Sequence, residues 1–133
     1  MAHTGSCLCG AISFRVEGDL AEPDACHCSK CRKWSGHYWA STDVLREDVA
    51  IDGDSQLGWY QSSEQVRRGF CRNCGCALFW DVEGRSRIAI AMGAFDKPTE
   101  TSLAKHIFVP DKGDYYEIAD GLPKFGQSSE EVL

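Results

Sequence analysis

Apolar and polar residues alternate along much of the chain with the two-residue period of a strand. Ile12, Phe14 and Val16 share one face, and Leu78, Trp80 and Val82 another. Ile88, Ile90 and Met92 form a third, with alanines filling the opposite face. Residues 66–70 read as a short strand leading into a cysteine turn, and 37–41, Val49–Asp52 and 105–109 as shorter strands. Turn chemistry falls at Gly18-Asp19, Gly53-Asp54, Glu83-Gly84 and residues 111–113. Helical periodicity is scarce: one turn is expected over 29–34 and another near 96–101. The pattern predicts one twisted, mainly-β domain over residues 1–126, with little helix, and a frayed tail over 127–133. There is no internal repeat, low-complexity stretch or interior linker.

Composition narrows the picture. A chain of 133 residues is of single-domain size and can bury a core without disulfide staples. With 43% hydrophobic and 26% charged residues it reads as soluble and globular. A net charge of -6 argues against a nucleic-acid partner, which needs a basic face to displace counterions from phosphates. No apolar run has the length of a membrane span, so no membrane partner is expected. Residues 1–6 lack the basic start and apolar core of a signal peptide. The expected location is therefore the cytoplasm, where thiols are kept reduced.

Eight cysteines in such a compartment need a reason, and their grouping supplies it. They fall as Cys7-x-Cys9, Cys26-x-Cys28-x-x-Cys31 and Cys71-x-x-Cys74-x-Cys76. Thiolates must converge on a zinc ion at about 2.3 Å, and two ligands from one short turn spend little loop entropy in doing so. A disulfide framework more often scatters its cysteines between elements. Cys71 and Cys74, followed by Gly75, form a knuckle that needs two distant partners, and Cys7 and Cys9, followed by Gly10, offer two. Cys26, Cys28 and Cys31 remain as a group of three. Four ligands make a closed structural zinc site; three leave the open position of a reactive one. Two zinc ions per chain are expected. Cys76 has three readings: a fourth ligand for the second site, a buried free thiol, or an accessible one. His27 lies between two ligands, where a side chain usually points the other way, so an outer-sphere or substrate contact competes with a ligand role.

Six of the 14 basic residues flank these groups: Lys30, Arg32, Lys33, Arg67, Arg68 and Arg72. Cations there lower thiol pKa and offset the charge of a thiolate-bound metal, or they hold a small anionic substrate. Lys30, Arg32 and Lys33 are candidate substrate contacts, with Trp34 as a pocket wall. The chain holds no His-Glu-x-x-His, no phosphate-binding Gly-Lys-Ser/Thr loop and no dinucleotide fingerprint.

Three segments, Gly5-Ser-Cys-Leu-Cys-Gly-Ala-Ile, Cys26-His-Cys-Ser-Lys-Cys-Arg-Lys and Phe70-Cys-Arg-Asn-Cys-Gly, resemble the glutathione-dependent formaldehyde-activating enzyme (GFA) family. Two softer matches are Lys105-His-Ile-Phe-Val and Asp120-Gly-Leu-Pro-Lys-Phe. The resemblance implies a β-tent fold of twisted antiparallel sheets with zinc knuckles at strand ends. It implies Cys7, Cys9, Cys71 and Cys74 as structural zinc ligands, and Cys26, Cys28 and Cys31 as ligands of a catalytic-type zinc. It also implies glutathione and formaldehyde as the small thiol and aldehyde, joined as in a carbon–sulfur lyase run in reverse. His27 or His37 would then shuttle a proton, and Arg68 would join the contacts to substrate carboxylates. The alternative functions are a non-catalytic zinc-stabilised protein-binding module and a thiol- or redox-sensing zinc protein.

Overall fold

The structure, a computed structural model, describes residues 1–128. In chain order its strands are β1 (Ala2–Ser6), β2 (Ser13–Glu17), β3 (Asp24–Cys26), β4 (Trp39–Leu45), β5 (Val49–Asp52), β6 (Leu57–Gln61), β7 (Val66–Cys71), β8 (Ala77–Val82), β9 (Arg87–Ala91) and β10 (Lys105–Ile107). One helix, α1 (Ser29–Ser35), joins β3 to β4 among the described residues. The mainly-β expectation holds: one sheet is antiparallel, and the other is mixed, with β10 parallel to β3.

The chain divides into two compact units. The first comprises Met1–Ala21 and Thr42–Thr101. It holds the antiparallel sheet β1-β2-β5 and the strand order β4-β9-β8-β7-β6. Its core is Ile12, Phe14, Val16, Val44, Leu57, Leu78, Phe79, Ile88, Ile90 and Phe95, all buried. The Phe14 ring meets Phe95 edge-on at 5.1 Å and Phe79 at 6.0 Å, the geometry that the aromatic quadrupole favours. The second unit comprises Glu22–Ser41 and the chain from Ser102 onward. It holds β10, β3 and the start of β4, with α1 between them. Strand β4 passes from the second unit into the first.

Several elements differ from the pattern reading. The strand expected at 37–41 starts two residues later and runs on to Leu45. Strands β1, β3 and β6 were not legible, because Ala-His-Thr-Gly-Ser and Asp-Ala-Cys carry no apolar alternation and Gly58 interrupts it in β6. In β8 the buried residues are Leu78, Phe79 and Asp81, while Trp80 and Val82 are half-buried. This strand is internal to its sheet, and a register shift at Gly69/Phe70 of its neighbour β7 breaks the simple alternation. Residues 96–101 form no helix: Pro98 disfavours helical backbone at Lys97, and Glu100 has φ 59. Of the expected tail, the carbonyl of Gln127 accepts from the Phe108 N–H at 2.9 Å; residues 129–133 lie outside the described residues.

Candidate metal centres

Two turns of the same design build the first cluster. After β1, Cys7-Leu8-Cys9-Gly10 turns back toward β2, with the Gly10 N–H donating to the Cys7 carbonyl at 3.2 Å. After β7, Cys71-Arg72-Asn73-Cys74-Gly75 turns back toward β8, with the Gly75 N–H donating to the Cys71 carbonyl at 2.7 Å. Gly10 (φ 80) and Gly75 (φ 79) both close their turns in the left-handed region, which other L-residues enter at a cost of about 1–2 kcal/mol. The turns aim backbone N–H groups at sulfur: Ile12 donates to Cys7 Sγ at 3.3 Å and Cys74 to Cys71 Sγ at 3.5 Å. Asn73 adds a side-chain donor, its Nδ2 lying 3.2 Å from Cys9 Sγ. The sequence reading missed Asn73; its place inside the knuckle was the available signal.

The four sulfurs of Cys7, Cys9, Cys71 and Cys74 lie within 4.8 Å of one another, and all eight cysteines are free thiols. Cys9 Sγ stands 3.7 Å from both Cys7 Sγ and Cys71 Sγ. Ligands about 2.3 Å from a tetrahedral ion stand about 3.8 Å apart, so the donor set fits a metal such as zinc. Its charges also call for a cation. The backbone N–H groups of Cys76 and Cys9 bring the Cys74 thiol down to about 6, and the Asn73 amide lowers Cys9. The Cys74 N–H pulls Cys71 down, but burial and the neighbouring thiols outweigh it and raise Cys71 to about 11. Four sulfurs this close cannot all be anionic without a positive ion among them. Cys76 belongs to neither cluster; it is half-buried against the core, and burial pushes its thiol up.

The second cluster lies within the second unit. Cys26 ends β3, Cys28 caps α1, and Cys31 is buried in its first turn. The Cys31 N–H donates to Cys28 Sγ at 3.3 Å. The three sulfurs lie within 4.8 Å of one another, with no fourth Cys, His, Asp or Glu in the group among the described residues. Hydrogen bonds with Cys28 and Cys31, then burial, raise the Cys26 thiol far above its ordinary value. Helix α1 ends at Gly36 (φ 91), with Arg32 and Lys33 in its last turn, where cations suit the helix dipole.

The predicted contacts scatter. Lys30 and Lys33 are exposed. Arg32 is half-buried, and its Nε is one of two buried side-chain donors without a protein acceptor among the described residues. The other is Nε1 of Trp39, whose residue stands directly opposite Cys26 in the β3–β4 register. Trp34 packs on Trp39 with ring centroids 5.1 Å apart. Arg68 lies buried in the first unit, where its Nε donates to Ser62.

His27 is fully buried and stands outside the thiol group. Its Nε2 lies 2.8 Å from His106 Nδ1, and its Nδ1 contacts the Tyr116 hydroxyl. Burial, helped by His106, His37 and Lys112, lowers its pKa to about 4, so the ring is neutral near pH 7. His106 Nε2 lies 2.7 Å from Asp120 Oδ2. The roles of His106, Tyr116 and Asp120 were not read from the sequence, although the segments bearing His106 and Asp120 stood out as matched segments. His37 is exposed, its ring centroid 4.5 Å from that of Tyr38 in a tilted arrangement and 4.4 Å from that of Tyr116 edge-on.

Fold and site together define a mainly-β protein with two clusters of thiols, of four and of three, that could hold metal ions. The chain belongs to the glutathione-dependent formaldehyde-activating enzyme family, whose sequence profile matches residues 2–111. It is 26% identical to an uncharacterized lyase of Schizosaccharomyces pombe, over 92% of this chain and 90% of that protein. It is 29% identical to a Halomonas elongata protein provisionally named a glutathione-dependent formaldehyde-activating enzyme, over 89% of this chain and 82% of the relative. A crystal structure of a Rhodobacter sphaeroides protein shares the fold, with a TM-score of 0.62 and 22% identity over 76% of this chain and 99% of that one.

Proposed function

We propose that the chain is a zinc-dependent enzyme that forms or splits a carbon–sulfur bond between a small thiol and a small aldehyde. In the reaction the family name describes, these are glutathione and formaldehyde. The observation that carries this reading is the second cluster, three thiols beside a helix cap with no fourth ligand in the group. Soft sulfur donors suit zinc, and three of them leave a position for a ligand. Zinc held by Cys26, Cys28 and Cys31 would supply an acceptor for the substrate thiolate and polarise the aldehyde oxygen.

The chain's own residues supply the rest. Arg32 Nε and Trp39 Nε1 offer buried donors to a carboxylate or oxyanion of the substrate, because neither has an acceptor among the described residues. Trp34, packed on Trp39, walls that region off from water. Lys30 and Lys33 add positive charge at the rim that draws an anionic thiol in. As the sulfur–carbon bond forms, the thiol proton leaves sulfur and one proton is delivered to the former carbonyl oxygen. With both ring nitrogens of His27 engaged, His37 is the exposed imidazole available for that exchange. Cys7, Cys9, Cys71 and Cys74 would hold the structural zinc.

Metal content tests the assignment. The wild-type chain should bind about two zinc ions and a Cys28→Ser variant about one, with the fold retained. NMR of glutathione and formaldehyde should show faster formation of the hydroxymethyl thioether with the wild-type protein and not with the variant. Two zinc ions that stay bound and inert to added thiol, with no acceleration, would sink the proposal and favour a binding module. Reversible zinc loss with peroxide, without catalysis, would favour a sensor.

A further inference from the structure

A hydrogen-bonded chain runs through the second unit and includes His27, the residue between Cys26 and Cys28 in sequence. It starts at Asp120, whose side chain is 42% exposed, and runs through His106 and His27, whose exposures are 3% and 0%. It ends at the half-buried Tyr116. We propose that His106 and Asp120 are positioning residues for the Cys26-His27-Cys28 turn, acting through the His27 ring; this rests on the reading that the cluster holds zinc.

When His106 carries a single ring proton, the chain has one polarity. An ionised carboxylate only accepts, so Asp120 Oδ2 takes the Nε2–H of His106 at 2.7 Å. A neutral imidazole then has a bare Nδ1, which accepts from the Nε2–H of His27 at 2.8 Å. The bare Nδ1 of His27 in turn accepts from the Tyr116 hydroxyl. Each ring is thus held in one tautomer and one orientation, and a rotation of either would leave a buried nitrogen unpaired.

The backbone clamps the same residues. His106 pairs with Ala25 in the parallel register, and the His27 N–H donates to the Ile107 carbonyl at 3.0 Å. On its other side, His106 donates to the Pro123 carbonyl at 2.9 Å and accepts from the Phe125 N–H at 2.9 Å. The Leu122 N–H holds the second oxygen of Asp120 at 3.0 Å. The two C-terminal segments noted in the sequence therefore share one task. They fix His27 from side chain and backbone at once, and His27 sits between two of the three thiols. Cys26 and Cys28 are in this way aimed before any metal arrives, the preorganisation that outer-shell contacts give a metal site.

The test uses the zinc-loaded protein and follows zinc release to a chromogenic chelator, cluster by cluster. Asp120→Asn keeps the shape and removes the charge. His106→Leu breaks the chain, and His106→Asn restores an acceptor toward His27. Release from the second cluster should be about tenfold faster in Asp120→Asn and faster still in His106→Leu, with partial recovery in His106→Asn. Release from the first cluster should not change. Nitrogen-15 NMR of wild-type imidazoles should place the proton of both His27 and His106 on Nε2. Unchanged release in folded variants, or a His27 proton on Nδ1, overturns the proposal. A wild-type chain that binds only one zinc would overturn the functional reading instead, and the ring spectra, which need no metal, would still decide the polarity of the chain.

Discussion

Asp81 shows how a single residue can carry more than its type suggests. It is buried on β8, yet it faces Arg67 directly across the β7–β8 pair and takes that guanidinium's Nε at 2.8 Å. Arg46 binds its other oxygen, and Arg67 also lies 3.8 Å over the Trp59 ring. Burial pushes the carboxyl up, but the hydrogen bonds and charges of the two arginines outweigh it and hold it below its ordinary value. The stabilisation is therefore present above the unfolded value of about 4 and is lost as pH falls through the lower native one. Asp81→Asn should cost about 2 kcal/mol at pH 7, a figure that allows for the half-exposed arginines. Denaturant unfolding of both proteins should show the gap closing below about pH 4; a gap that stays constant would mean that Asp81 acts through packing alone. None of this was legible in the sequence, where Asp81 reads as a polar residue on the open face of a strand. The thiols were legible because clustering is itself the signal. Asn73 and Trp39 were not, because a donor aimed at a sulfur or left unpaired is a fact of three dimensions.

Among the elements, the two cysteine turns are the most local. Their ligands, their glycines and their N–H donors lie within a few residues of one another, so short-range pattern is enough to find them. A Gly75→Ala change should lower stability by about 1–2 kcal/mol, because nothing lies within 4 Å of the added methyl and the whole cost is conformational. Thermal melting of the zinc-loaded protein checks this, and a neutral result would show that the turn relaxes to negative φ. Helix α1 was legible for the same reason, bounded by a capping cysteine and by Gly36. β3 is the opposite case, and β10, expected as a strand over 105–109, spans only Lys105–Ile107. Each has three residues, and β3 has no amphipathic pattern of its own. They exist because they pair with each other in parallel across about eighty residues of chain.

On the scale of the whole molecule, each cluster belongs to one compact unit, the four thiols to the first and the three to the second. Loss of the second metal should therefore leave the first unit folded, as the Cys28→Ser prediction assumes. Removal of both is a different matter. Cys9 and Cys71 are 62 positions apart, and a metal between them would close a long loop. Exhaustive chelation should destabilise the protein by several kcal/mol, on the order of values for structural zinc sites, and zinc should restore it. A melting temperature that chelation leaves unchanged would show that the first cluster does not support the fold. The sequence by itself determined the mainly-β class, the three thiol groups and their division into four and three, because alternation and short-range ligand spacing are local properties. Only the tertiary structure decided that Arg68 serves Ser62, that Cys76 stands outside both clusters, and that His27, His106, Tyr116 and Asp120 form one chain. Those outcomes depend on which distant residues share a buried volume, and burial and hydrogen-bond satisfaction have no period along the sequence.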